Sequence, residues 1–167
     1  MKTTVRIARR LLAEIDDDLD RAHEFAGERL GFVLARWVQA DIELVVIPFR
    51  YISIADENYI DDAKVGAKMN STAIRAALQA TLDHGATCLH VHARHPAMPF
   101  FGDLDLAEQA KLMPSFRAAV PNAPHGALLL HGTGALARLW PSGGGPPVYA
   151  DRVTVVGFPK RFSWRGP

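Results

Sequence analysis

Thr87-Cys88-Leu89-His90-Val91-His92-Ala93-Arg94-His95-Pro96-Ala97-Met98-Pro99-Phe100-Phe101-Gly102-Asp103-Leu104-Asp105 decides how the rest of the chain is read. Its first half is a short buried strand, because Cys88, Leu89 and Val91 are apolar and Pro96 and Pro99 close the run. Residues i and i+2 of a strand share a face about 7 Å apart at the Cα atoms, so His90 and His92 converge on one side. Two imidazoles on one face are half of a zinc site. Asp103 or Asp105 could add an oxygen donor where the loop meets the apolar-periodic segment Leu104 to Val120. A His-x-His pair alone is also what a partly exposed strand face or a hydrogen-bonded core pair displays, so residues elsewhere must carry the metal reading.

Composition narrows the setting. The chain has 167 residues with 49% hydrophobic content, which fits one globular domain over residues 1–167. Nineteen basic and eighteen acidic residues leave a net charge of +1, so no basic footprint points to nucleic acid. The single Cys88 sits in the apolar strand and reads as a small core residue, which suits a reducing cytoplasm. Residues 1–12 are basic without an apolar core segment, and no run approaches the roughly 18 apolar residues of a membrane span, so a soluble, unprocessed chain is expected.

In order along the chain, Val5 to Leu19 mixes a short extended start with helical spacing, and Asp16 to Asp20 marks a solvated helix end or turn without chemistry. Glu28 then precedes an apolar strand through Val38, and a turn at Asp41 leads to a second strand, Ile42 to Ile54, making a hairpin. The polar stretch Ala55 to Asn70 reads as a long loop and a candidate wall of a site. Ser71 is expected to cap a helix through Leu82, stopped by Gly85. After the His90 strand, a helix runs to about Ala119 across Pro114. A hairpin follows around Gly132-Thr133-Gly134, then a flexible link from Pro141 to Pro147 and a last strand from Arg152 to Val156. The expected order is helix, two strands, helix, strand, helix, three strands: an α/β domain with a mixed sheet. His23, His84, His125 and His131 read as hydrogen-bonded structural residues, His95 as a loop residue, and Phe158 to Trp164 as an aromatic strip for docking or for covering the core edge.

A glutamate before a Gly-containing strand, then a helix, a strand ending His-x-His, and a Phe-led aspartate at a helix start resemble the JAB1/MPN/Mov34 (JAMM) metalloprotease family. The residues in question are Glu28, His90, His92 and Asp105, with Pro99-Phe100-Phe101-Gly102 leading into the aspartate. Pro124 to Leu130 and the strand ending at Trp140 also resemble the second half of bacterial members, so the likeness spans most of the chain. It implies a mixed sheet flanked by helices with cytidine-deaminase-like layering. It further implies Zn2+ held by His90, His92 and Asp105, with a fourth position left for water, and Glu28 as general base rather than ligand.

Two departures stand out. Gly102 occupies the oxyanion position where family members have Ser, and losing one such donor costs about 10²-fold or more in rate unless another replaces it. Eukaryotic members place the aspartate eleven residues after the second histidine, which selects Asp103, whereas the local Phe-x-x-x-Asp pattern selects Asp105; Asp105 is taken as the ligand and Asp103 as a helix cap.

The resemblance implies a zinc-dependent isopeptidase acting after the tail of a ubiquitin-like protein, alongside activating-enzyme-like and conjugating-enzyme-like partners, with neither nucleic acid nor membrane involved. Its rivals are a metal-free scaffold of the same fold and a metallohydrolase of a small amide- or cysteine-containing metabolite.

Overall fold

The strand β1 (Lys2–Ala8) opens the chain and turns directly into the helix α1 (Arg9–Leu19). This is the computed structural model of the chain, and it describes residues 1–94, 99–157 and 162–164. The hairpin β2 (Leu30–Gln39) and β3 (Glu43–Ser53) follows, then α2 (Ser71–His84), β4 (Thr87–Arg94) and α3 (Asp103–Ala119). The chain ends with β5 (His125–His131), β6 (Gly134–Trp140), β7 (Val148–Tyr149), β8 (Arg152–Val156) and β9 (Phe162–Trp164). Expectations for His95 and for 158–161 of the aromatic strip lie outside the described residues.

Among the described residues nine strands form one mixed sheet in the order β7-β6-β5-β4-β2-β3-β1-β8-β9. The sheet curls until its two halves touch: Ala150 N–H donates to Ala137 O, and Asp151 N–H to Thr3 O, both at 2.9 Å. Inside the curl, Leu11, Ile15 and Leu19 of α1 bury against Val5, Val46, Val91 and Leu128. On the outer face, Ala73 and Ala77 of α2 and Met113 and Phe116 of α3 bury against Phe32, Leu34 and Cys88. Strands coated on both faces read as continuous apolar runs, which is why β5 (HGALLLH) is buried from His125 through Leu130. Among the described residues no helix is long and apolar enough to cross a membrane.

Three expectations need correction, the first being the end of the chain, where β7 and β9 are added so that five strands rather than three follow α3 and Arg152–Val156 is not the last. The extended start is a full seven-residue strand, placed between β3 and β8 with parallel partners on both sides. Its alternation was masked because α1 begins at once, with no side-chain cap at Ala8 to punctuate the change. The cap of α2 is Asn70 rather than Ser71: the side-chain Oδ1 of Asn70 accepts from Thr72 N–H at 2.9 Å and from Ala73 N–H at 3.1 Å. At the other end Gly85 takes φ 52°, the left-handed stop that glycine adopts at no steric cost. Pro48, which cannot donate to a ladder, lies where the β2–β3 register shifts between Leu34 and Ala35.

Candidate functional site

The antiparallel pairing of β4 with β2 sets His90 opposite Phe32 and His92 opposite Leu30. Both imidazoles therefore face the α2/α3 side. Four rings stand in a row, Phe32, His90, His92 and Phe101, with successive centroids 5.5, 5.9 and 5.9 Å apart. Packing of this kind fixes ring orientation without using ring nitrogens. The Nε2 atom of His90 is buried and has no hydrogen-bond partner. Burial, and secondarily the neighbouring His92, push the His90 pKa down to about 3, so this imidazole is neutral and keeps a lone pair to offer.

Glu28 approaches from the turn before β2. The N–H groups of Gly27 and Glu28 both donate to Gly66 O, at 2.8 and 3.3 Å, which ties this turn to the loop between β3 and α2. The next residue, Arg29, is 2% exposed and donates to Arg21 O and Ala22 O while its Nη1 pairs with Asp56 at 2.9 Å. Tyr59 of the same loop binds both backbone groups of Leu30. The Glu28 backbone is thus fixed from both sides, and its Oε2 lies 3.7 Å from His92 Nδ1.

Asp105 comes from the first turn of α3. One carboxylate oxygen accepts from Gly102 N–H at 2.7 Å; the other is 4.0 Å from His92 Nδ1. Asp103 is exposed as the first residue of the helix, and the cap position belongs to Gly102. The structure therefore places Asp105, and not Asp103, beside the histidines. Gly102 has no hydroxyl, and its N–H is committed to Asp105, so it aims no donor at a developing oxyanion.

Glu28 and Asp105 thus both approach His92, and with His90, two residues back on the same strand face, they line a cavity of about 240 Å³. Two neutral imidazoles and a carboxylate are the donor types of an open zinc site, and an orphaned buried nitrogen is what such a site leaves without its ion. The donors sit slightly apart: among the described residues no group of three or more His, Cys, Asp or Glu side chains is gathered at metal-holding distance. Zinc bonds of about 2.0–2.2 Å at a tetrahedral angle separate donors by roughly 3.3–3.6 Å, so binding would draw Asp105 toward the stacked His92 ring by rotation of the carboxylate side chain.

The loop between β3 and α2 was legible as a wall, but its working residues were not. Gly66 was a lone glycine in a polar stretch, and a Cβ there would lie 2.7 Å from Glu28 Oε1. Arg29 and Tyr59 carried only weak signals, a charge entering an apolar run and an aromatic in a polar loop. Three of the other histidines are bonded as structural residues: His23 to Phe25, Ala26 and Asp56, His84 to Ala80 O, and His125 to Cys88 and Val120. No protein-family model matches the chain, and no curated protein matches it.

Proposed function

We propose that this chain is a zinc-dependent peptidase or isopeptidase of the JAMM type, cleaving after the C-terminal tail of a ubiquitin-like protein in the cytoplasm. One observation carries the hydrolytic reading: Glu28 Oε2 and Asp105 Oδ1 approach the same nitrogen of His92, at 3.7 and 4.0 Å, from two separate elements. The ubiquitin-like substrate rests on the sequence resemblance alone.

His90, His92 and Asp105 would hold the ion, and Glu28 would remain unligated. Held there, zinc would supply polarisation of the scissile carbonyl and a lowered pKa, toward about 7, for water. Glu28, positioned through Gly66 and Arg29, takes the proton from the attacking water and delivers it to the departing amine. The row of aromatic rings keeps both imidazoles from turning. With Gly102 supplying no donor, turnover is slow relative to a site that has one, by about 10²-fold.

Metal analysis of purified protein and cleavage of a ubiquitin-like fusion, run beside a panel of small amides, test the proposal. One zinc per chain with cleavage of the fusion supports it. Cleavage of small amides alone would reassign the protein to metabolite hydrolysis. The missing donor at Gly102 favours one further reading, a partner-binding scaffold, which would hold much less than one zinc per chain and cleave nothing.

A further inference from the structure

We propose that the outer face of the sheet at β3, β1 and β8 is the docking site of an acidic amphipathic helix supplied by a partner protein. The inference does not depend on the hydrolase reading above.

The helix layer on this face is incomplete. α2 and α3 pack over β2, β4 and β5, and the layer ends at His84, the last residue of α2. There the His84 carbonyl accepts from Arg36 Nη1 at 2.7 Å, and the His84 ring lies 6.0 Å from Phe49. Farther along the sheet, Val5, Val46 and Val153 point inward and bury beneath α1. The outward residues of the same strands, among them Arg6, Ile47 and Val156, are exposed. Register sets Arg36 beside Ile47, Val38 beside Val45, and Ala8 beside Val156 on this open face. Val38, Ile47, Phe49 and Val156 are 39–59% exposed, a high figure for branched and aromatic strand residues. Three strands span about 10 Å, the width of one helix.

Charge decides what fits there. β1, β2, β3 and β8 together hold five basic residues, Lys2, Arg6, Arg36, Arg50 and Arg152, and a single acid, Glu43. Glu43 already accepts from Thr4 Oγ1 at 3.1 Å. None of the five cations pairs with a described carboxylate. Thr4 lies between Lys2 and Arg6 on one face and is the register partner of Arg152, so three of these charges are close neighbours. Like charges side by side on a sheet repel, and carboxylates laid over them remove that cost. A helix with an apolar stripe and acidic flanks meets both features at once. A second copy of this face would set cation against cation, which disfavours a symmetric pair through it. Nucleic acid is also anionic, but it stacks on open aromatic rings. Phe49 is the single aromatic of the four exposed residues, and Arg36 already lies over its ring at 5.0 Å.

Protein with 13C-labelled Ile and Val methyl groups is titrated with a capped peptide that repeats the heptad Glu-Leu-Ala-Glu-Ile-Ala-Glu three times. The same peptide with Lys for every Glu, oligothymidylate, and phosphatidylglycerol vesicles are titrated in parallel. We expect the acidic peptide to shift the Val38, Ile47 and Val156 methyl signals and to bind at least about 10-fold more tightly than the Lys peptide. The double variant Arg6→Glu/Arg152→Glu, at two side chains with no ion pair to lose, should reverse that preference. Ile47→Ser should weaken the acidic peptide and leave the charge preference in place. Equal affinity for the two peptides, or no shift at these methyl groups, would overturn the inference. Shifts at the same methyl groups from oligothymidylate or vesicles, without binding of the acidic peptide, would overturn it in favour of nucleic acid or lipid.

Discussion

The Tyr59 hydroxyl accepts from Leu30 N–H at 2.8 Å and lies 3.2 Å from Leu30 O, to which it donates. A loop side chain thus saturates both backbone groups at the start of β2, two residues beyond Glu28 and directly opposite His92 in the sheet. Tyr59→Phe keeps the ring but strands this buried donor and acceptor, which costs about 1–3 kcal/mol. We expect chemical denaturation to register that loss. Hydrolysis should fall by more than the loss of folded protein explains, because Glu28 loses its brace.

Gly66 offers a cleaner separation of position from stability. A Cβ at this residue would sit 2.7 Å from Glu28 Oε1 and 3.1 Å from Cδ, and these atoms are the far end of a flexible side chain. Gly66→Ala should therefore move the carboxylate while shifting stability by less than about 1 kcal/mol. The expected readout is at least a 10-fold fall in kcat with the zinc content of wild type. An unchanged kcat would mean that Glu28 is not the proton carrier. Glu28→Ala, which removes the base outright, should abolish hydrolysis and still bind zinc; metal loss in that variant would make Glu28 a ligand.

Asp105 and Asp103 differ in what they touch, and the difference is measurable. Asp105→Ala should lower zinc content far below one per chain and destabilise the first turn of α3 by about 1 kcal/mol, since Gly102 N–H loses its acceptor. Asp103→Ala should leave zinc content unchanged. Equal zinc retention in both variants would remove Asp105 from the ligand set.

These residues also show how far local sequence carries. The pairing of His90 with His92 was legible because a strand's two-residue period is a strictly local rule. That Asp105 rather than Asp103 lies beside His92 was legible only as a local pattern, for both fall in the first turn and the placement belongs to how α3 packs on the sheet and on α2. Nothing local announces that the buried Arg29 pairs with the exposed Asp56, or that Tyr59 binds Leu30, because each joins segments about thirty residues apart. The hairpins β2–β3 and β5–β6 followed from turn chemistry. The central place of β1 did not, since its partners β3 and β8 lie far along the chain.

His125 gives the fold a pH dependence of its own. It is fully buried; its Nδ1 accepts from Cys88 N–H at 3.1 Å, so the ring proton sits on Nε2, which is 3.0 Å from Val120 O. Burial is the main cause that lowers its pKa below the usual 6.5; the bond to Val120 opposes that shift, and the charge of Arg117 reinforces it. The sign follows: the unfolded chain takes up a proton near pH 6.5 before the folded chain does, so acid favours unfolding. The contribution is fully present above about pH 6.5 and is lost as pH falls toward the depressed folded value. His90, lowered for the same reason, adds to this slope in metal-free protein. Denaturant midpoints measured from pH 7.5 to pH 5 should therefore decline for wild type. His125→Gln, which does not titrate, should start from lower stability and decline less steeply; an identical slope would show that this ring does not govern the acid response.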